Sequence, residues 1–340
     1  MDMLFPVIAF IVSVFLCWLF MRTDSRFHIL DYPNERSMHS KPVPRSGGVS
    51  ILAGIYLSIT GWAIWVGEVP SVVFWIVGAG LFVAIVSFLD DRFSLSIGYR
   101  IVVHFISASL LVYGGLGLEA IPFPGGALIP GKVLGILITL LVVIWMLNLY
   151  NFMDGMDGFA GGMALFGFGT YAILGWLAGN EVFMLLSLII AAAASGFLVL
   201  NFPPARIFMG DTGSSLLGFF AVSFILWADH EGIFPIWIGI LVFSPFVIDA
   251  TATLFRRALK GENIWKAHKS HYYQRLVQAG WGHRRTVFLQ YGIMFACGLM
   301  SILIVDASIF IQMVSLAIWT LFYIGFFLWI TRIETKYSSC

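Results

Sequence analysis

Ser71-Val-Val-Phe-Trp-Ile-Val-Gly-Ala-Gly-Leu-Phe-Val-Ala-Ile-Val-Ser-Phe-Leu89-Asp90-Asp91-Arg92 decides the fold. Residues 71–89 carry no charge. Coiled as a helix they satisfy their own backbone hydrogen bonds and reach across about 30 Å of hydrocarbon. Two carboxylates then follow at once. Inside lipid they would be very costly, whereas at the end of a helix they meet water. The stretch therefore reads as a membrane span that ends on an acidic pair.

The same design recurs along the chain. Asn148, Asn151, Asp154 and Asp157 close another apolar run, and Asp211 precedes a third. The composition agrees: 340 residues, 60% apolar, only 11% charged, mean hydropathy +0.93. A soluble domain carries about a quarter charged residues. The expected spans are 4–21, 47–66, 71–89, 101–116, 132–149, 159–178, 182–201, 214–229, 234–254, 287–305 and 309–331. The fold class is thus an all-α polytopic membrane protein with about 11 transmembrane helices, read as a single domain over 1–340. Threading these spans puts the N-terminus outside and the C-terminus in the cytoplasm. The first span follows Asp2 with no Lys or Arg before it and no small-residue cleavage site after it, so it reads as a retained helix.

The basic residues test this threading. Of the 19 Lys and Arg, only Lys132 falls on the outer side, which is the positive-inside bias. The acidic clusters share the basic, cytoplasmic side, in loops near 22–46, 90–100, 150–158, 202–213 and 255–286. A net charge of +1 gives no reason to expect nucleic acid as a partner. Cys17, Cys297 and Cys340 form no CxxC pair, so neither a thiolate zinc site nor a disulfide framework is implied.

Each cluster has its own chemistry. Adjacent Asp90 and Asp91 repel, which favours a cation beside them; Arg100 follows nearby. Asn148, Asn151, Asp154 and Asp157 recur every third residue. If helical, they form a drifting stripe about 13 Å long at about 1.5 Å rise per residue, though Gly155 and Gly158 favour a break. Pro203-Pro204 stops the incoming helix, and Asp211 stands where an Asp either caps the next one or binds a ligand. Oxygen donors of this kind suit a hard cation such as Mg²⁺, which keeps waters and substrate phosphate oxygens in its shell. His268-Lys-Ser-His271 supplies only two ligands for zinc. With Lys269 and Arg275 it reads better as a phosphate clamp. Lys41 and Arg45 add cations in the first cytoplasmic loop. Taken separately, each cluster also has a plainer reading as a helix cap, a polar turn or a topological charge.

In order, the DYPNERSMHSKPVPRSGG loop, FLDDRFSLS with Arg100, NLYNFMDGMDGFAGG, FMGDTGSS and HKSHYYQRL resemble the polyprenyl-phosphate N-acetylhexosamine-1-phosphate transferase family. The likeness covers about residues 1–290. It implies ten or eleven transmembrane helices and a cytoplasmic-face active site. The implied reaction moves a sugar-1-phosphate from a UDP-HexNAc to undecaprenyl phosphate, or dolichyl phosphate in eukaryotes, with release of UMP. The implied cofactor is Mg²⁺, with Mn²⁺ as the alternative, and relatives are often homodimers.

By the same resemblance, Asp211 and Asn151 hold the metal, and Asp90 and Asp91 act on the polyprenyl phosphate. Asp154 and Asp157, with Asn148, lie near the nucleotide. Arg100, His268, His271 and Arg275 meet phosphate or sugar-diphosphate, while Lys41 and Arg45 are substrate-binding candidates read from the first loop's residues alone. Ser94 stands where some relatives carry a third acid. HKSH stands where muramoyl-pentapeptide transferases carry three His, which argues against a peptidoglycan substrate. The HxSHxYQRL form looks most like inner-membrane enzymes that start O-antigen or similar lipopolysaccharide chains. A secondary transporter is the alternative of a different class. It would place ionisable groups near the midplane, in repeated halves, which this sequence does not show.

Overall fold

The computed structural model describes residues 2–22, 29–33, 42–263 and 268–338. Lys41 and parts of the two longest expected cytoplasmic loops lie outside the described residues. The chain is an all-α polytopic membrane protein. Its helices are α1 Leu4–Phe20, α2 Gly47–Val66, α3 Ser71–Phe93, α4 Ile97–Tyr113, α5 Lys132–Met153, α6 Phe159–Leu177 and α7 Glu181–Asn201. There follow α8 Gly210–His230, α9 Ile236–Val242, α10 Ser244–Leu259, α11 Tyr272–Leu276, α12 Gly282–Ile304 and α13 Ile309–Ser338. Two short antiparallel ribbons decorate the bundle: β1 Leu30–Asp31 with β2 Val43–Pro44, and β3 Ile121–Phe123 with β4 Gly126–Leu128.

Among the described residues, eight helices are long and apolar enough to cross a membrane, and the bent pair α9–α10 makes a ninth. The apolar helices α1 and α4 are slightly shorter. Every apolar stretch expected from the sequence is helical, with one correction. The stretch 234–254 is not one straight helix; it turns through 83° between α9 and α10. The cause is local. The Phe243 N–H closes α9 on Gly239 O, and the Phe243 carbonyl then accepts from Phe246 and Val247 to open α10. Pro245, in the first turn, has no N–H to continue the earlier ladder.

Helix ends also differ from expectation in a way that matters for chemistry. α3 and α5 continue past 89 and 149, and α8 begins at Gly210 rather than 214. The polar residues therefore belong to the terminal turns of rigid helices. α3 stops at Ser94, which takes the left-handed conformation (φ 52°) and returns its N–H to Asp90 O.

α8 forms the centre of the bundle: 94% of its most apolar window is buried, against 17% for α13. Its neighbours are packed by aromatic rings in tilted and edge contacts, with Phe168, Tyr171, Phe183, Phe224, Phe234 and Phe243 in one cluster. Such pairs add to the area they bury. At the other end of α8 the packing is backbone on backbone. A Cβ on Gly48 would lie 2.2 Å from Gly213 N, so only glycine lets the first turns of α2 and α8 meet, the small-residue device of membrane helices.

Candidate active site

One end of the bundle collects the C-terminal turns of α3 and α5 and the N-terminal turns of α2, α4 and α8. The first loop and the loop before α8 are stitched together there. Phe208 N–H donates to Pro44 O at 2.7 Å, Gly47 N–H to Phe208 O at 2.9 Å, and Gly48 N–H to Met209 O at 2.8 Å. This seam carries Arg45 over the end of α3. Arg45 Nη2 donates to the Asp91 carbonyl and lies 3.6 Å from Asp91 Oδ1.

The adjacent acids Asp90 and Asp91 point to different partners. Asp91 caps α8: Oδ1 accepts the Asp211 N–H at 3.0 Å, and Oδ2 accepts the Thr212 N–H at 2.9 Å and the Thr212 hydroxyl at 2.6 Å. Those N–H groups have no intrahelical acceptor, and the helix end favours an anion. Asp90 Oδ2 instead meets Arg100 Nη1 at 3.1 Å, and the same nitrogen lies 3.3 Å from Asp211 Oδ2. Arg100 thus stands between two carboxylates. The Asp211 side chain is 30% exposed, the Asp90 side chain 9%, so Asp211 is the acid open to a ligand.

Asn151, in the last turn of α5, donates from Nδ2 to Ser214 Oγ at 3.2 Å, which turns its amide toward α8 and leaves Oδ1 as a donor atom for a cation. Asp154 follows the end of α5. Burial, and then the charges of Asp211, Asp91 and Asp31, push its carboxyl well above the usual carboxylate range. Asn148 is turned to α4: its Nδ2 donates to Ile144 O at 2.7 Å and lies 3.5 Å from Nδ1 of the buried His104. The four expected polar positions are not one helical stripe, because α5 ends at Met153. Asp157 lies beyond, where Oδ2 accepts the Ala205 N–H at 3.0 Å and Oδ1 meets His283 Nδ1 at 3.1 Å. Its carboxylate ties the loop after α7 to the start of α12.

These donors fit a hard divalent cation. Among the described residues the close cations are Arg45 beside Asp91 and Arg100 between Asp90 and Asp211, and the charges of Asp211, Asp91 and Asp31 add to the burial that raises the Asp154 carboxyl. Among the described residues no three His, Cys, Asp or Glu side chains form a ready cage. Mg²⁺ does not need one, since it binds through one or two carboxylates together with water and phosphate.

The expected phosphate clamp divides in two. His268 and His271 lie with ring centroids 4.8 Å apart and planes tilted by 36°, and His271 faces Phe152 at the end of α5. Burial, followed by His271, Arg257 and Arg256, lowers the His268 pKa to about 4, so its imidazole is neutral at neutral pH. Arg275 departs from expectation. Its Nε donates to Glu334 Oε2 at 3.0 Å, and Nη2 donates to the same oxygen and to Thr331 Oγ1 at 3.3 Å. Its guanidinium also covers the Tyr272 ring. Arg275 fastens the loop to α13 instead of lying open to phosphate. The reason is the position of α13, which sequence spacing does not convey.

Several residues of this region escaped the sequence reading: Thr212, Ser214, His104, His283, Glu334 and the anchoring role of Asp249. Asp249 did leave a signal, since a lone carboxylate within an apolar run must find partners.

The profile described as "Glycosyl transferase family 4" matches residues 73–229. The chain is 31% identical over 328 residues to a probable undecaprenyl-phosphate N-acetylglucosaminyl 1-phosphate transferase of Bacillus subtilis (strain 168), covering 93% of this chain and 89% of that protein. It is 31% identical over 302 residues to a decaprenyl-phosphate N-acetylglucosaminephosphotransferase of Mycolicibacterium smegmatis, covering 78% and 73%. It is 28% identical over 295 residues to an undecaprenyl-phosphate alpha-N-acetylglucosaminyl 1-phosphate transferase of Escherichia coli (strain K12), covering 82% and 78%.

Proposed function

The chain belongs to the polyprenyl-phosphate N-acetylhexosamine-1-phosphate transferases of glycosyl transferase family 4, and from that premise we propose the following reaction. An N-acetylhexosamine-1-phosphate, GlcNAc or a 6-deoxy relative, passes from its UDP-sugar to undecaprenyl phosphate, and UMP leaves. GlcNAc is the first donor to test, because the relatives are named for it. The product starts a lipid-linked surface polysaccharide of the O-antigen type. In this reading the enzyme sits in the bacterial inner membrane with its active site on the cytoplasmic face, its N-terminus outside and its C-terminus inside.

The observation that carries the proposal is the Asp90–Arg100–Asp211 bridge beside Asn151, at the ends of apolar helices. A polyprenyl tail stays in hydrocarbon, so the acceptor phosphate must react at this depth. A UDP-sugar reaches the same plane from water. An acceptor phosphate oxygen attacks the phosphorus that carries the sugar. The bond from that phosphorus to the bridging oxygen breaks, and UMP keeps that oxygen.

Asp90, paired with Arg100, orients the acceptor phosphate and takes up its proton when it arrives as a monoanion. Arg100 meets charge that develops on the transferred phosphoryl group, as preorganised donors do in other phosphoryl transfers. Asp211 and Asn151 would hold Mg²⁺, or Mn²⁺ in its place, which when bound neutralises diphosphate charge. Asp154, its carboxyl raised mainly by burial, adds a polar group to the same pocket. His268 and His271 close on the sugar-diphosphate.

Purified protein in detergent, supplied with undecaprenyl phosphate, Mg²⁺ and a panel of UDP-HexNAc donors, is expected to release UMP and form a lipid-diphosphate sugar. Failure with every donor, in protein that still binds polyprenyl phosphate, would overturn the proposal. Turnover without a gradient separates it from a secondary transporter.

A further inference from the structure

Asp249 sits within α10, 4% exposed, where an unpaired carboxylate would be costly. Apart from Thr253 on its own helix, at 3.2 Å, its partners among the described residues come from the segment that opens α11. Oδ1 accepts the Tyr272 N–H at 2.9 Å and Oδ2 accepts the Tyr273 N–H at 3.0 Å. Oδ1 also lies 3.5 Å from Nδ1 of His271. One carboxylate from a packed helix therefore fixes the backbone of the HKSH loop and lies beside the His271 ring.

The surroundings leave the ring little freedom. Tyr273 stacks on it with centroids 5.9 Å apart and planes 18° apart, and Phe152 stacks at 6.5 Å. Gln274 Oε1 accepts the His271 N–H at 3.2 Å. His271 Nδ1 is enclosed, makes no hydrogen bond among the described residues and lies 3.5 Å from the Asp249 carboxylate, so Nε2 is the ring atom left for a ligand. Phe152 follows Asn151 directly, and its carbonyl accepts from Tyr273 Oη at 3.4 Å. The held imidazole thus stands beside the end of α5 that brings Asn151 to the site.

We infer that Asp249 is a positioning residue: it orients His271 so that Nε2 meets the diphosphate of the nucleotide-sugar donor. The carboxylate acts through the two N–H groups that follow His271, which set where the ring stands, and its charge lies on the Nδ1 side, away from Nε2. The inference rests on the transferase reading above.

The test is steady-state kinetics on His271→Ala, Asp249→Asn and the double variant, with donor and acceptor varied separately. Each single variant is expected to raise the donor KM about tenfold or more, the loss that follows when a hydrogen bond to a charged group is misplaced, with the undecaprenyl phosphate KM unchanged. The double variant is expected to lose little beyond either single one, because the two residues act through one contact. A purely architectural Asp249 would instead lower active-enzyme yield and leave both KM values alone. If Asp249→Asn does not fold, His271→Ala still decides: an unchanged donor KM overturns the inference. Equal effects on donor and acceptor overturn it too. No UMP release by the wild-type chain would overturn the transferase reading and this inference together, whereas normal wild-type turnover with unchanged variants overturns the inference alone.

Discussion

Asp91 Oδ2 accepts both the backbone N–H and the hydroxyl of Thr212, at 2.9 and 2.6 Å. An acid at the end of α3 thereby closes the first turn of α8, and its sequence neighbour Asp90 is left to pair with Arg100. Asp91→Asn is expected to lower unfolding stability by about 1–3 kcal/mol, the cost of leaving buried hydrogen-bonding groups unsatisfied. Asp90→Asn is expected to keep near-wild-type stability and lose turnover. Thermal unfolding in detergent beside UMP release checks both; equal stability losses would show that the two acids share one role.

Arg100 occupies the space between Asp90 and Asp211. A divalent cation drawn to those oxygens competes with it. Arg100→Gln is expected to reach half-maximal rate at lower Mg²⁺, while its maximal rate falls about a hundredfold, the usual cost of a lost transition-state donor. Chelation should abolish wild-type turnover and added Mg²⁺ should restore it. A Mg²⁺ titration followed by UMP release measures both effects.

Asp211→Asn is expected to fold normally and to lose most turnover, because the Asp211 N–H still reaches Asp91 while the partly exposed side chain loses its charge. Circular dichroism with the UMP assay separates the two. Near-wild-type turnover would remove Asp211 from the metal shell.

His268 is held neutral, with its pKa lowered to about 4 from 6.5. The unfolded chain therefore binds the extra proton first as pH falls. Stability rises with pH wherever the unfolded state holds more protons, so this residue removes stability between about pH 6.5 and 4 and not above. Thermal unfolding across that window should fall more steeply for the wild-type chain than for His268→Gln. An identical slope would count against the neutral assignment.

Gly210 takes φ +71°, and a Cβ there would lie 2.7 Å from Arg45 O and 2.9 Å from Asp91 Oδ2. Gly210→Ala combines backbone strain of about 1–3 kcal/mol with displacement of the cap, so a clear drop in melting temperature is expected, accompanied by loss of turnover.

The spans were legible because long uncharged runs leave a chain few choices in lipid. The break at Phe243 was not, since Pro245 in an apolar run reads equally as a tolerated proline. The meeting of Asp90, Asn151 and Asp211 followed from their places at span ends. What separated Asp91 from Asp90 was rotation about the helix axis, about 100° per residue, and which side α8 lies on. Arg275 was misjudged for a similar reason: nothing in HKSHYYQRL tells of Glu334, far along the chain. His104 and Ser214 carried no signal beyond being polar in apolar helices.

The grip of α13 on the loop has a practical side. Tyr272 stacks on Phe327 with centroids 3.8 Å apart, Trp281 meets Trp329 edge-on, and Arg275 holds Thr331 and Glu334. Shortened versions of this protein that stop ahead of Phe327 would strip away the outer wall against which the HKSH loop is braced, so expression designs should leave that tail whole and add any affinity handle after it.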